Sequence, residues 1–355
     1  MINCTRLLRG DPGPAFRYGG ARAPVVFWYP AGYPGEECPP DALGPEEALR
    51  LVEEVAEMRS PLLTLEGDDL SRREDLFALV SRASSRGLKT VLATGFRWIG
   101  EAEAQRLREA GASYVGLNLD LPGEEGDLPR ALEEALPSGE ALLRAGLPFG
   151  IKVSFRRFHQ KAMDELLRVS REKGVRRLAF YQVQPPDGEW EGYRRERKAF
   201  MDWLLGEASQ GLEVELVTED HYADGPYLYL QARRSGCGDG SRILGLLRLQ
   251  GGCGAGRRIV GIGPRGEVHP CPGWRHQVLG RVGERPLMEI WEREALLDRL
   301  RRREGFSGRC GRCRFLEVCG GCRVRSWRES GDSWNGDPGC YLDLAGTAAG
   351  GRDGG

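Results

Sequence analysis

The chain of 355 residues has almost no net charge: 51 lysines and arginines offset 52 aspartates and glutamates, leaving −1. That balance excludes a nucleic-acid or anionic-membrane binder working by bulk charge. No apolar run approaches the roughly 18 residues that span a bilayer, so no transmembrane helix is expected. Met1–Gly10 lacks the basic and apolar regions of a signal peptide, and a cytoplasmic protein is expected. Gly261-Ile262-Gly263 is too short and wrongly placed for a dinucleotide fingerprint. Cysteine is scarce in the first two thirds of the chain, where Cys4 and Cys38 stand alone. Eight of the ten cysteines follow Gly236. In a reducing compartment such crowding points to metal binding before a disulfide framework.

From Pro24 to Thr218 short β-branched apolar runs alternate with amphipathic stretches, the pattern of βα units on a parallel sheet. Strands are expected over Val25–Tyr29, Leu62–Leu65, Thr90–Ala93, Tyr114–Leu119, Gly150–Phe155, Leu178–Val183 and Val214–Val217. Helices are expected over Glu46–Met58, Arg73–Arg86, Glu101–Ala110, Leu128–Arg144, Lys161–Lys173 and Glu191–Ala208, with Gly87, Gly111, Gly146, Gly174 and Gly211 just past the ends of five of them. The fold class is therefore α/β: a partial (β/α)6 TIM-like barrel, its ligand site at the C-terminal ends of the strands. After Thr218 the rhythm is expected to stop, and a small, loop-rich, cysteine-rich domain to follow that bound metal would help to stabilise. The expected division is an N-terminal segment 1–22, the barrel 23–218, the cysteine-rich domain 219–344 and a disordered tail 345–355.

Seven cysteines form an ordered array: Cys253, twelve residues, Gly266, four residues, Cys271; then Cys310-x2-Cys313-x5-Cys319-x2-Cys322; then Cys340. Thiolates are soft anionic ligands, and four of them complete an iron–sulfur cubane. Structural zinc and unligated thiols are the alternatives. Five residues between two CxxC pairs is short for one tetrahedral zinc, and seven cysteines exceed its needs. Gly251, Gly252, Gly254, Gly256, Gly320 and Gly321 suit close approach of backbone N–H groups to an inorganic core where a Cβ would intrude. Between Arg299 and Arg328 ten arginines face two acids, a balance suited to offsetting thiolate charge or meeting a polycarboxylate.

The array resembles the SPASM domain of the radical S-adenosylmethionine enzymes, C-x9–15-G-x4-C, then C-x2-C-x5-C-x3-C, then C. The x2 interval before Cys322 is the form associated with the tetrapyrrole branch. Asp220–Leu230 (DHYADGPYLYL) is similar to the N-H-A-D-G stretch of the enzymes of siroheme-derived haem and nitrite-reductase haem synthesis. Gly251–Val260 (GGCGAGRRIV), Gly266–Cys271 (GEVHPC), Thr5–Leu8 (TRLL) and Phe16–Gly19 (FRYG) look like the same branch. The resemblance implies one [4Fe–4S] cluster on Cys310, Cys313, Cys319 and Cys340, and a second on Cys253, Cys271 and Cys322. The fourth ligand of the second is left open between Cys237, water and substrate. The resemblance also implies a tetrapyrrole or other polycarboxylate ligand, with His221 and Asp224 touching it or a metal, or else capping a turn. Arg257 and Arg258, beside the second cluster, are candidate carboxylate contacts, as are Arg156 and Arg157 at the barrel mouth. His269 is a candidate donor near a cluster, and His159 and His276 are read as surface residues.

That family also carries C-x3-C-x2-C after its first barrel strand, three thiolates that leave one iron free to chelate S-adenosylmethionine. Here the three positions fall on Pro34, Cys38 and Asp41, and proline has no donor atom. The family's G-G-E-P cofactor segment is represented by Glu66-Gly67-Asp68-Asp69. Two altered parts of one site imply that S-adenosylmethionine cleavage is lost. The expectation is an iron–sulfur accessory of haem-type cofactor synthesis that binds a tetrapyrrole and works with an active relative or an electron-transfer protein. An active radical enzyme with atypical ligands and a purely structural partner subunit are the alternatives.

Overall fold

The computed structural model describes residues 1–11, 23–120, 128–186, 188–211, 213–236 and 238–345. Phe16–Gly19, Cys237 and the tail from residue 346 lie outside the described residues. Eleven strands form one sheet: β1 (Ile2–Asn3), β2 (Val25–Trp28), β3 (Leu63–Gly67), β4 (Thr90–Gly95), β5 (Tyr114–Asp120), β6 (Phe149–Phe155), β7 (Arg177–Gln182), β8 (Glu215–Thr218), β9 (Ile259–Ile262), β10 (Glu267–His269) and β11 (Gly280–Arg281). Their order is β1-β8-β7-β6-β5-β4-β3-β2-β9-β10-β11. The run from β2 to β8 is parallel, and its successive strands are joined through helices at Pro45–Glu57, Leu76–Ser85, Glu101–Ala110, Leu128–Arg144, Gln160–Glu172 and Trp190–Ser209. This is the partial (β/α)6 barrel the sequence pattern implies. All five glycines expected just past helix ends have φ between 71° and 91°, where a Cβ would strain the backbone.

Beyond Thr218 the chain differs from the expectation. The helical rhythm continues through Asp224–Ser235 and Gly240–Gln250, and β9 then pairs in parallel with β2, Val25 opposite Ile259 and Trp28 opposite Ile262. The cysteine-rich part therefore extends the barrel sheet at the edge where the barrel starts. The first of these helices hid in the sequence because Asp224-Gly225-Pro226 reads as a turn, although proline is tolerated in a first helical turn. No described helix is long and apolar enough to cross a membrane.

Burial shows which face of the sheet is closed. On β4, Thr90, Leu92 and Thr94 are buried, whereas Val91, Ala93 and Gly95 stay partly exposed. Leu92 belongs to the core with Leu79, Val80 and Leu107 of the covering helices. On β7, Phe180 meets Phe200 and Trp203 of the outer helix, and the next residue, Tyr181, faces the other way. The outer face is thus sealed by helices, and the inner face is partly exposed, with Ala93, Asn118, Lys152 and Tyr181 half-buried and Thr64 and Ser154 buried. At the N-terminal ends of the strands the lumen has a polar floor. There Arg177 donates to Glu215 at 2.9 and 2.6 Å, and Asn3 and Arg6 of the N-terminal segment reach the same carboxylate.

Candidate metal centre and barrel mouth

Cys310, Cys313, Cys319 and Cys340 line one cavity of about 70 Å³, together with Gly320, Gly321 and Asp337. Backbone amides already point at their sulfurs: Asp337 N–H donates to Cys310 Sγ at 3.3 Å, Phe315 to Cys313 at 3.4 Å and Gly321 to Cys319 at 3.4 Å. Buried Arg323 adds a contact to Cys310 Sγ at 3.5 Å, while its other donors hold the carbonyls of Ser333 and Asn335. A Cβ on Gly321 would lie 2.9 Å from Cys310 Sγ, and the residue's φ of 59° independently favours glycine. Burial pushes Cys340 up to about 12 and Cys319 well above the ordinary thiol value. Such thiolates need a cation beside them, and metal ligation supplies it.

Cys253, Cys271 and Cys322 form a second group. Burial, and then the neighbouring Cys253 and Cys322, raise the Cys271 thiol well above its usual value. Burial likewise pushes Cys322 up to about 11. The groups touch through the backbone, Cys253 N–H donating to the Cys319 carbonyl at 2.7 Å. That approach depends on Gly252, where a Cβ would stand 2.4 Å from the same carbonyl oxygen. Gly251, Gly254 and Gly256 differ from the expectation: their missing Cβ atoms make room for Arg257, Ile259 and the pair Leu297 and Leu300. Among the described residues no three His, Cys, Asp or Glu side chains converge as around a single metal ion. Four thiols around a cavity suit the larger iron–sulfur core better than zinc. All nine described cysteines are free thiols.

The mouth of the lumen carries polar residues the sequence did not single out. Lys152 on β6 pairs with Glu219 at 3.2 Å and lies 5.8 Å from the centre of the Tyr181 ring. Burial pulls its ammonium down, but Glu219, Glu66 and Asp220 outweigh it and hold the pKa above the ordinary lysine value. Burial raises Glu66, against the opposing pull of Lys152 and Tyr29. Asn118 Oδ1 is buried without a partner among the described residues. The signal available in the sequence was alternation: Asn118, Lys152, Tyr181 and Glu219 occupy the polar phase of strands whose other phase is apolar.

The loop after β2 holds the three positions that match the adenosylmethionine-cluster motif. Pro34 offers no donor, and Cys38 is exposed with its Sγ 3.8 Å from the Pro39 carbonyl. Asp41 accepts from Arg265 at 2.6 Å, and Glu36 accepts from Arg275 at 2.6 Å. Tyr33 Oη lies 3.2 Å from His269 Nε2. The loop is thus fastened to the segments flanking β10. Asp68, in the segment matching the cofactor clamp, accepts the Gly35 amide at 2.7 Å.

Several expected ligand contacts have structural partners. Asp224 is fully buried against equally buried Arg197, accepts from Tyr341 Oη at 2.8 Å and lies 3.5 Å from His221 Nδ1. His221 Nε2 is 3.0 Å from the Gly339 carbonyl, and burial, followed by Arg325, pushes its pKa down to about 3. A neutral histidine and an ion-paired aspartate with no open face brace the helix Asp224–Ser235 against the chain around Tyr341. Arg257 and Arg258 donate to the carbonyls of Gly251 and Gly252. The Arg258 carbonyl accepts from Val25 at the N-terminal end of β2, so its backbone lies at the end of the sheet away from the mouth. Both arginines thereby shape the turn before Cys253, and Arg257 also lines a cavity of about 520 Å³ with Trp291, Glu292, Arg293 and Arg301. His269 bridges Tyr33 and the Gln277 carbonyl. His276 is exposed but stacked on Trp327, ring centres 3.6 Å apart. Arg156 and Arg157 are exposed just past β6, at the mouth.

Comparison with known proteins agrees with this geometry. Residues 253–323 match the SPASM model, described as an iron-sulfur cluster-binding domain. Fe-coproporphyrin III synthase of Methanosarcina barkeri is 27% identical, over 96% of this chain and 98% of that protein. Pre-heme d1 synthase of Dinoroseobacter shibae is 29% identical, over 95% of this chain and 90% of that protein. Among solved structures, Streptococcus suis SuiB bound to S-adenosylmethionine aligns with a TM-score of 0.66 at 16% identity, covering 90% of this chain and 77% of that one. Native anSMEcpe with bound AdoMet aligns at 0.61 and 16% identity, covering 90% and 94%. These structures share the fold; with the SPASM match over residues 253–323 and the relatives matched over nearly the whole chain, the chain is similar to the radical S-adenosylmethionine/SPASM enzymes named for haem synthesis.

Proposed function

We propose that the chain is an iron–sulfur accessory of haem-type cofactor synthesis in the cytoplasm. It holds [4Fe–4S] clusters on its two cysteine groups, binds a tetrapyrrole or similar polycarboxylate at the open barrel mouth, and does not cleave S-adenosylmethionine. Bound clusters would supply one-electron redox chemistry. The chain's own residues shape access to it: the partly exposed inner face offers room, and Arg156, Arg157 and Lys152 offer the cations a polycarboxylate requires. The tetrapyrrole assignment draws on relatives that are synthases of Fe-coproporphyrin III and pre-heme d1. An active relative or an electron-transfer protein is the partner such a role requires.

The observation that carries the reading is the loop after β2. Of three required thiolates it keeps one, Cys38, and the carboxylate at the third position, Asp41, is engaged by Arg265. One thiolate with a committed carboxylate does not make a site-differentiated cubane. The partly exposed, polar lumen favours the rival reading, an active radical enzyme with atypical ligands. Reduced holoprotein incubated with S-adenosylmethionine separates the two. The accessory yields no 5′-deoxyadenosine above a protein-free control, whereas catalytic formation abolished by Cys38→Ala establishes the enzyme.

A further inference from the structure

A buried positive charge with no acid paired to it lies between the two cysteine groups. Arg303 ends the helix Ala295–Arg302 in the left-handed conformation, φ 55°, where its N–H bonds the Leu300 carbonyl and that of Glu304 the Arg299 carbonyl. Glycine is the usual residue in such a cap, because a side chain strains that backbone. The chain carries one of the largest side chains there instead, and buries it. Arg303 is 8% exposed, whereas Arg302 and Glu304 on either side are exposed. Strain kept where glycine would relieve it points to a use for the side chain.

The guanidinium reaches both cysteine groups through their backbone neighbours. On one side Nη2 donates to the carbonyl of Gly251, two residues before Cys253. On the other, a Cβ on Gly320 would lie 3.5 Å from Nη1 and 3.6 Å from Nη2, so the guanidinium packs against the residue that follows Cys319. Gly320 lines the cavity of Cys310, Cys313, Cys319 and Cys340. The two sides meet where Cys253 N–H donates to the Cys319 carbonyl at 2.7 Å. Nη1 is buried without a hydrogen-bond partner among the described residues. Among those residues no carboxylate forms an ion pair with Arg303; exposed Glu317 acts on it only from further away. Arg257 donates to the same Gly251 carbonyl, so a second cation shares its acceptor. A buried unpaired cation is costly, and an anion bound beside it offsets that cost.

We propose that Arg303 is the shared counter-cation of the two clusters and holds their reduced states within reach of an external low-potential one-electron donor. The assignment rests on the reading that both cysteine groups carry clusters. The step is one electron passing from that donor into one [4Fe–4S] core, whose charge falls by one, with no proton transferred and no bond broken. Each reduction places a further negative charge near a fixed positive one in a region shielded from water, where the attraction is strong. Because Arg303 abuts neighbours of both groups, its loss lowers both potentials. A cation on the surface, such as Arg302, is screened by solvent and salt.

Anaerobically purified full-length protein should hold about eight irons per chain, four for each cubane, and give two paramagnetic-resonance signals on titration with dithionite. At a fixed solution potential Arg303→Gln should lower the reduced-to-oxidised ratio of both clusters about tenfold, equivalent to about 59 mV for a one-electron couple. Arg303→Lys keeps the charge and should stay near wild type, and Arg302→Gln should leave both ratios unchanged. Unshifted ratios in Arg303→Gln with full iron overturn the assignment, as does an equal shift in Arg303→Lys or Arg302→Gln. If Arg303→Gln loses iron, the lysine variant decides. Full iron and wild-type ratios in Arg303→Lys support the charge role, and loss of iron there too overturns it in favour of a packing role. A wild type with about four irons overturns the two-cluster reading itself, and the shared counter-cation with it.

Discussion

The loop after β2 and the cysteine-rich region both carry residues that match metal-site motifs, and their surroundings are opposite. In the cysteine-rich region the thiols are buried or half-buried, amides already donate to three sulfurs, and glycines stand where a Cβ would collide with a sulfur or a carbonyl. In the loop the one remaining thiol is exposed and the acid at the third position is spent on a surface ion pair. Metal sites are kept by their surroundings as much as by their ligands. The first region retains that support. The loop after β2 is tied instead to the extended sheet.

The contrast makes graded expectations. The largest effect belongs to the buried thiols. Cys319→Ser should lose one cluster, about four irons per chain, and lower the melting temperature by about 5–10 °C, because ligation contributes directly to folding in a region with a small core. Unchanged iron and an unchanged melting curve would show that the array is not a ligand set. Next comes the buried brace. Asp224→Ala leaves Arg197 charged and unpaired in the core and should cost about 3–5 kcal/mol in urea denaturation, whereas Asp41→Ala at the exposed loop should leave the denaturation curve unchanged. Equal costs would erase the distinction between buried support and surface fastening.

A smaller effect lies at the barrel floor. Burial raises Glu215, but hydrogen bonds from Arg177 and Arg6 outweigh it, so the folded pKa lies below the ordinary 4.5. A depressed carboxylate stabilises the fold above its unfolded pKa, and that contribution is lost as pH falls below about 4.5 through the folded value. Glu215→Gln should therefore cost about 1–2 kcal/mol at pH 7 and progressively less in acid. A cost that does not vary with pH would show that packing, not charge, holds the floor.

Much of this was legible in the sequence. The seven parallel strands and six helices follow from period-2 and period-3.6 patterns, and the division of the thiols into two groups is what the resemblance to the SPASM pattern implies. What escaped was set by distant partners. Asp224 and His221 look like ligand residues because both are polar and lie in a motif, and only the arrival of Arg197, Tyr341 and Gly339 from other parts of the chain turns them into a brace. Arg257 and Arg258 look available until Gly251 and Gly252 turn their carbonyls towards them. Lys152 carries no motif of its own, and its significance comes from strand direction, which brings β6 and the end of β8 to one mouth.

The most direct test of the central contrast is the iron content of anaerobically purified Cys38→Ala beside wild type. The thiol it removes is the last one left at the family's adenosylmethionine-cluster position, and it is exposed and remote from the buried array in burial and partners. Equal iron and sulfide in the two proteins is the expected result, with every cluster accounted for by the cysteines from Cys253 to Cys340. Loss of about four irons per chain in Cys38→Ala would contradict the account, because it would place a working cluster in the loop after β2.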